Sequence, residues 1–121
     1  MFWKQITVRD HERALVTKDG RFHAILAGGD YRMFVPSGFS LEIEKHNVRD
    51  LVFRSVWADY LVKHRPELTE RFFHRVETND MQVALVYVDG ELYTVLTPAK
   101  RMLFWRESVD VTAELVEVIS A

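Results

Sequence analysis

The sequence predicts an α+β domain, mainly β, in which two homologous antiparallel β-modules are joined by a short helical hairpin. Three observations lead to this prediction: a gapless internal repeat at an offset of 70 residues, an Asp-Gly turn signal in each copy, and a change to helical hydrophobic spacing between the copies. We therefore divide the chain into a first β-module at 1–49, a helical connector at 50–75 and a second β-module at 76–121, together forming one compact domain.

The repeat aligns residues 6–51 with residues 76–121. Ten of the 46 aligned pairs are identical, and many others exchange similar apolar residues, as Ile25 does with Val95. Because the register holds through strands and turn without a gap, we interpret the repeat as a duplicated module rather than as shared β-sheet composition.

Each copy contains a predicted β-hairpin. Asp19-Gly20 and Asp89-Gly90 stand between apolar runs, and Asp-Gly suits a type I′ turn because that turn needs positive φ at both central residues. The expected strand pairs are Ala14–Lys18 with Arg21–Leu26 and Ala84–Val88 with Glu91–Leu96.

Two further strands are expected after each hairpin. Gly28-Gly29 and Pro98 end the hairpins, and the next strands are expected at Tyr31–Val35 and Arg101–Trp105. Turns at Pro36-Ser37-Gly38 and Glu107-Ser108 then lead into strands whose alternating apolar residues are Phe39, Leu41 and Ile43, and Val109, Val111 and Ala113. The alternation slips at Leu115-Val116, which predicts a bulge or a strand end there.

The connector shows helical spacing. Between Asp50 and His64, the apolar residues that recur on one helix face are Phe53, Val56, Trp57, Tyr60 and Leu61. Asp50 is placed to cap this helix. Pro66 suits the first turn of a second short helix, whose apolar side is formed by Leu68 and Phe72.

Composition excludes several functional classes. The 121 residues include no cysteine, which excludes disulfides, a cysteine nucleophile and thiolate metal sites. The net charge of −2 argues against a broad nucleic-acid-binding surface. No apolar run approaches the ~20 residues of a membrane span, and no signal peptide opens the chain, so we expect a cytoplasmic protein.

No residue pattern predicts catalysis. None of the five histidines has metal-ligand spacing, and His11 lies beside Asp10 and Glu12 at a strand start, where neighbouring side chains point to opposite faces. Gly28-Gly29 precedes a β pattern rather than a helix, so it is a turn and not a phosphate-binding loop. We expect no enzymatic activity, no cofactor and no metal site.

Aromatic residues at element ends are candidate interaction sites. Phe2, Trp3 and Trp105 lie beside the cations Lys4 and Arg106, and aromatic rings in such places suit a partner contact as well as core packing. Most other aromatic residues are expected in the core by their position, among them Phe34, Trp57, Tyr60, Phe72 and Phe104.

Charge is divided unevenly between the modules. Residues 1–49 carry a net charge of +2, whereas residues 76–121 carry −5. Modules of like shape and opposite charge attract each other within one chain or between chains. The basic candidates for this contact are Arg9, Arg13 and Arg21, and we expect self-association or a protein partner.

An alternative hypothesis is a small-molecule-binding domain. Its pocket is expected between the two modules and lined by Trp57 and Tyr60, because aromatic side chains commonly line ligand pockets. A change in the protein's tryptophan fluorescence on addition of metabolite mixtures would favour this hypothesis over a protein contact.

The first module resembles a known family in the order of its elements. It contains Asp10-His11-Glu12-Arg13-Ala14-Leu15-Val16, then Lys18-Asp19-Gly20-Arg21, then Ala24-Ile25-Leu26-Ala27-Gly28-Gly29 and Met33-Phe34-Val35-Pro36. This order resembles the N-terminal region of the SPFH (stomatin, prohibitin, flotillin) or band 7 superfamily, in particular the bacterial slipins. Met1-Phe2-Trp3-Lys4 also resembles the beginning of slipin-like proteins. The family's Gly-Pro-Gly element is replaced by Ala27-Gly28-Gly29 and by Thr97-Pro98-Ala99.

The resemblance implies a doubled β-module with a non-enzymatic role. Members of this family are oligomeric scaffolds at membranes, where they organise or regulate partner proteins. The membrane hairpin and long coiled coil of many members have no counterpart in these residues. We therefore expect any association with the inner membrane to be peripheral, indirect and made through a longer chain.

Overall fold

The computed structural model describes residues 2–106 and 109–118. The chain divides into two compact units, Met1–Asp50 and Leu51–Ala121. Strands account for 57% of the described residues and helices for 12%, which confirms the mainly β class with two antiparallel modules.

The elements of the described residues follow one plan in each unit. The first unit contains β1 (Phe2–Val8), β2 (Glu12–Lys18), β3 (Arg21–Leu26), β4 (Gly29–Val35) and β5 (Leu41–Asn47). The second contains α1 (Ala58–His64), α2 (Pro66–Phe72), β6 (Phe73–Glu77), β7 (Gln82–Val88), β8 (Glu91–Leu96), β9 (Arg101–Trp105) and β10 (Val111–Glu117). Each unit pairs its strands into a two-stranded ribbon, β1-β4 or β6-β9, and a three-stranded sheet, β3-β2-β5 or β8-β7-β10.

The two three-stranded sheets repeat each other residue by residue. Ala14 pairs with Leu26 as Ala84 pairs with Leu96, and each hairpin has a register shift at the same place, after Val16 and after Val86. Both Asp-Gly turns have positive φ at both residues, 51° and 78° in the first unit and 50° and 84° in the second. These values confirm the predicted type I′ hairpins.

The ribbons repeat less closely, and the sequence pattern does not predict two of their strands, β1 and β6. Trp3 pairs with Phe34, whereas in the second unit Phe104 pairs with His74, a register shifted by one residue. β1 lacks a regular apolar alternation because its buried residues begin only at Ile6. β6 follows α2 without an intervening turn, so no turn signal marks where it begins.

Each unit has its own core cluster on the inner face of its sheet. In the first unit the cluster comprises Ile6, Val8, Ala14 and Val16. In the second it comprises Val76, Ala84, Val86, Leu96, Phe104 and Val111. Repeat-related positions of the central strands, such as Ala14 and Ala84, therefore perform the same packing role.

The prediction for the end of the last strand is wrong. β10 pairs with β7 in one continuous register from Val111 to Glu117, with no bulge at Leu115-Val116. The alternation slips because consecutive apolar residues lie on opposite faces of an exposed strand: Leu115 is 53% and Val116 38% exposed. The predicted turn at Glu107-Ser108 lies outside the described residues.

The prediction of one helix from Asp50 is wrong in its first half. The helix begins at Ala58, and Trp57, whose side chain makes no capping hydrogen bond, occupies the capping position. Residues 51–53 are instead extended along β9, with a bridge between Val52 and Phe104. Backbone pairing and burial of the Phe53 ring therefore override the helical spacing, and the segment and both helices belong to the second unit.

The second predicted helix is confirmed. Pro66 is its first residue, and Phe72 is buried as expected. The Thr69 hydroxyl lies 2.8 Å from the Leu61 carbonyl oxygen and 3.1 Å from that of Arg65, which joins α2 to the end of α1. Neither helix among the described residues is long and apolar enough to cross a membrane.

Candidate functional site

The candidate interaction residues fall into exposed and buried groups. Phe2 is 52% and Trp3 60% exposed, and Arg9 and Arg21 are also at the surface. Arg13 is only 3% exposed, and its Nη1 atom donates hydrogen bonds to the backbone oxygens of Asp10 and Glu12. Arg13 therefore holds a turn together and does not offer its charge to a partner.

Two further candidates make contacts within the second unit. Trp105 is 1% exposed, and its ring packs 4.6 Å from that of Phe73 and 5.2 Å from that of Phe53. The Arg106 guanidinium donates to the backbone oxygens of Glu70 at 2.9 Å and Phe73 at 3.0 Å, which fastens α2 to β6. Core packing accounts for Trp105, whereas Arg106 satisfies backbone oxygens and remains exposed.

The candidate pocket residues lie together at the start of α1. The ring centroids of Trp57 and Tyr60 are 5.5 Å apart, and Tyr60 lies 5.2 Å from the His64 ring. Open clefts of about 350, 460 and 430 Å³ lie beside α2, at the β2–β3 turn and at the β8–β9 turn, and none of the three is lined by Trp57 or Tyr60. The small-molecule hypothesis stays a prediction.

The outer face of the second unit's three-stranded sheet carries a group of apolar side chains. We name the outer apolar face by its six residues, Val83, Leu85, Tyr87, Leu92, Val95 and Val116. They are cross-strand neighbours, because Val83 pairs with Val116, Leu85 with Val95 and Tyr87 with Leu92. Leu92 is 58%, Val95 48% and Val116 38% exposed, whereas the repeat-related Leu15 and Ile25 of the first sheet are buried.

The sequence contains a signal for this face in strand β7. From Val83 to Val88 every residue is apolar or aromatic, so β7 is apolar on both sides. Such a run indicates a strand that is covered on both faces. The inner side meets the core through Ala84 and Val86, while the outer side remains accessible at its edges.

A second aromatic surface lies at the end of the first unit's ribbon. The rings of Trp3 and Phe34 meet edge to face at 5.4 Å, and the Arg32 guanidinium lies 5.2 Å from the Trp3 ring centroid. We call these three residues the aromatic ribbon end. Phe34, expected in the core, is 38% exposed because its strand faces solvent on this side.

Three exposed carboxyl groups have pKa values below their ordinary range, each for a local reason. The Arg9 backbone N–H donates to Glu12, the Arg101 guanidinium binds Asp59, and the Arg65 guanidinium binds Glu67, and each contact lowers the pKa of its carboxyl group. The described residues contain no group of three or more His, Asp or Glu side chains arranged to hold a metal ion. The charged groups thus fasten turns and helices.

Comparison with protein-family models, with curated proteins and with solved structures found no match. The functional argument therefore rests on the two surfaces, the outer apolar face and the aromatic ribbon end. Both expose apolar or aromatic side chains, and both lie on strands rather than on loops. Such surfaces suit contacts with other proteins.

Proposed function

We propose that the chain is a non-catalytic protein-interaction and assembly module of the slipin/SPFH type, part of a membrane-associated scaffold. The observation that carries the proposal is the outer apolar face. Monomeric proteins rarely expose contiguous apolar patches beyond a few hundred Å² unless the patch binds a partner. The resemblance of the first module to SPFH proteins supplies the class of scaffold.

The charge distribution supports assembly between copies of the chain. Residues 1–49 carry a net charge of +2 and residues 76–121 carry −5. A contact between the first module of one copy and the second module of the next is heterologous, so it closes into a ring or extends as a filament. Glu114, which pairs with Leu85 of the outer apolar face, places an acidic group at such a contact.

Light scattering on a sizing column tests the proposal. We expect a discrete oligomer at tens of micromolar, and we expect Leu92→Thr with Val95→Thr to shift it to monomer, because both side chains are about half exposed and Thr preserves strand preference. Val56→Thr is the matched control, since Val56 is 90% exposed and lies outside the face. An unaltered oligomer in the double variant, or a monomer in the original chain, contradicts assembly through this face.

A further inference from the structure

The second unit shows how one edge of its ribbon is completed. β9 pairs with β6 on one side, and residues 51–53 lie along its other side. Phe53 N–H donates to the Leu103 carbonyl oxygen at 2.8 Å, and Trp105 N–H donates to the Leu51 carbonyl oxygen at 3.0 Å. The segment Leu51-Val52-Phe53 therefore acts as a short third strand.

The Phe53 side chain anchors this third strand. Its ring lies 4.6 Å from the Phe73 ring and 5.2 Å from the Trp105 ring, and it is only 4% exposed. Phe73 and Trp105 are each 1% exposed. An apolar–apolar–aromatic segment thus satisfies the edge of the strand and covers the aromatic residues beside it.

Among the described residues, the first unit has the same strand without such a segment. By the 70-residue repeat, β4 corresponds to β9. Within residues 2–106 and 109–118, β4 pairs with β1 alone, and Asp30, Arg32 and Phe34 along it are exposed. Trp3, which corresponds to the buried Phe73, is 60% exposed. The edge and the aromatic residues that are covered in the second unit are both accessible in the first.

We infer that the outer edge of β4 is a binding site for an extended segment of a partner protein with an apolar–apolar–aromatic sequence. The segment adds an antiparallel strand to β4, and its aromatic ring packs on the aromatic ribbon end. Edge strands bind extended peptides through main-chain hydrogen bonds, while side-chain pockets select the sequence. This inference rests on the proposed function, because it assigns a surface to the interaction module.

The exposed charge at the aromatic ribbon end indicates which charge the partner segment carries. Arg32 of the aromatic ribbon end is exposed, and no ion pair engages it among the described residues. Asp30, the nearby acid on β4, accepts a hydrogen bond from the Thr7 hydroxyl at 2.9 Å. A partner segment with an acidic residue next to its apolar residues is therefore favoured.

A peptide with the sequence of residues 49–55, Arg-Asp-Leu-Val-Phe-Arg-Ser, is the probe. It is titrated into the ¹⁵N-labelled full chain, and we expect amide shifts concentrated in Gly29–Val35. Trp3→Ser is expected to weaken binding by about tenfold or more, as loss of an aromatic anchor does. Tyr93→Ser is the matched control, because Tyr93 is a 50% exposed aromatic residue on another sheet.

The outcomes separate this inference from the proposed function. No shifts at about 1 mM peptide, the weak end of specific binding, or shifts confined to Arg101–Trp105, overturn the β4 site. Equal binding by a peptide with Ala in place of the phenylalanine overturns the aromatic anchor. Light scattering on the same samples reports self-association independently, so an oligomer that binds no peptide leaves the proposed function standing while the β4 site fails.

Discussion

Backbone conformation at single residues sets the two hairpin turns. Asp19 and Asp89 adopt φ near 50°, and the glycine that follows each has φ of 78° or 84°. Residues with a Cβ rarely adopt such angles, and Asp tolerates them better than most. The sequence pair Asp-Gly was therefore sufficient to predict both turns and, through them, the register of both hairpins.

Gly90→Ala tests the cost of this conformation alone. A Cβ at Gly90 meets no heavy atom within 4 Å, so the substitution causes no clash. We expect the free energy of unfolding to fall by about 1 kcal/mol, the cost of a left-handed conformation for a non-glycine residue. Urea unfolding followed by circular dichroism measures it, and an unchanged midpoint contradicts the type I′ geometry.

Ala99→Gly is expected to act in the opposite direction. Ala99 has φ of 57° in the turn before β9, and its N–H donates to the Asn79 carbonyl oxygen at 3.0 Å. Glycine relieves the strain but adds freedom to the unfolded chain, so the net gain is about 0.5 kcal/mol. A higher urea midpoint is the expected result; a lower one shows that Ala99 is not strained.

Glu12 gives a pH dependence with a definite sign. The Arg9 N–H lowers the pKa of Glu12 below its ordinary value of 4.5, so its contribution to stability is present above that pH and is lost as pH falls through the folded-state pKa. In the second unit Gln82 accepts the same backbone bond from Asn79, which shows that glutamine fits this turn. We expect Glu12→Gln to lower the urea midpoint at pH 7, with the difference from the original chain shrinking below pH 4.5. A difference that is constant with pH contradicts this role.

Among the elements, the extended segment at residues 51–53 has the largest effect on packing. Phe53→Ala removes a buried ring that packs on both Phe73 and Trp105, and we expect a loss of about 3–5 kcal/mol in the stability of the second unit. Val56→Ala is the control, because its side chain is 90% exposed. Hydrogen exchange at the β9 amides measures the effect, and equal protection in both variants contradicts the anchoring role of Phe53.

The same segment shows where sequence reasoning about elements stops. Phe53, Val56 and Trp57 have helical spacing, yet the first of them lies in an extended segment. Spacing records only which residues are apolar, whereas the conformation of residues 51–53 depends on the free edge of β9, some 50 residues later. Local signals predict structure correctly because their effect is confined to neighbouring residues. Pro66, for example, predicts the start of α2.

At the scale of the whole molecule, the charge difference between the modules predicts salt-sensitive self-association. Arg9→Glu with Arg21→Glu reverses exposed charges of the first module, and we expect it to raise the concentration needed for assembly at low salt. Lys63→Glu, an exposed charge reversal on α1, is the control. Light scattering at low and high salt measures the change, and identical behaviour of both variants contradicts an electrostatic contribution.

The fold class was predictable from the sequence, but the candidate surfaces were only partly so. The repeat and the Asp-Gly turns predict the two modules because both are visible in the order of residues alone. The exposure of a side chain depends on which other elements cover its strand, and local sequence does not show this. Phe34 is therefore exposed although its position predicts a core residue, and the accessible apolar side of β7 is not predicted. Arg13 and Trp105, both candidates for a partner contact, are buried for the same reason.

The residue-by-residue repetition of the two sheets has a consequence for folding. β2 offers β8 the same ladder that it offers β3, and the exchanged pair would place Lys18 opposite Glu91, whereas the native partner of Lys18 is Arg21. Side-chain charge therefore does not prevent the exchanged pairing. The native pairing is favoured because it forms faster than the exchanged pairing. A hairpin closes within about 1–10 μs, whereas a strand 70 residues away must first diffuse into place. The tight turns thus protect the nascent chain from intramolecular misassembly, the characteristic failure of tandem repeats.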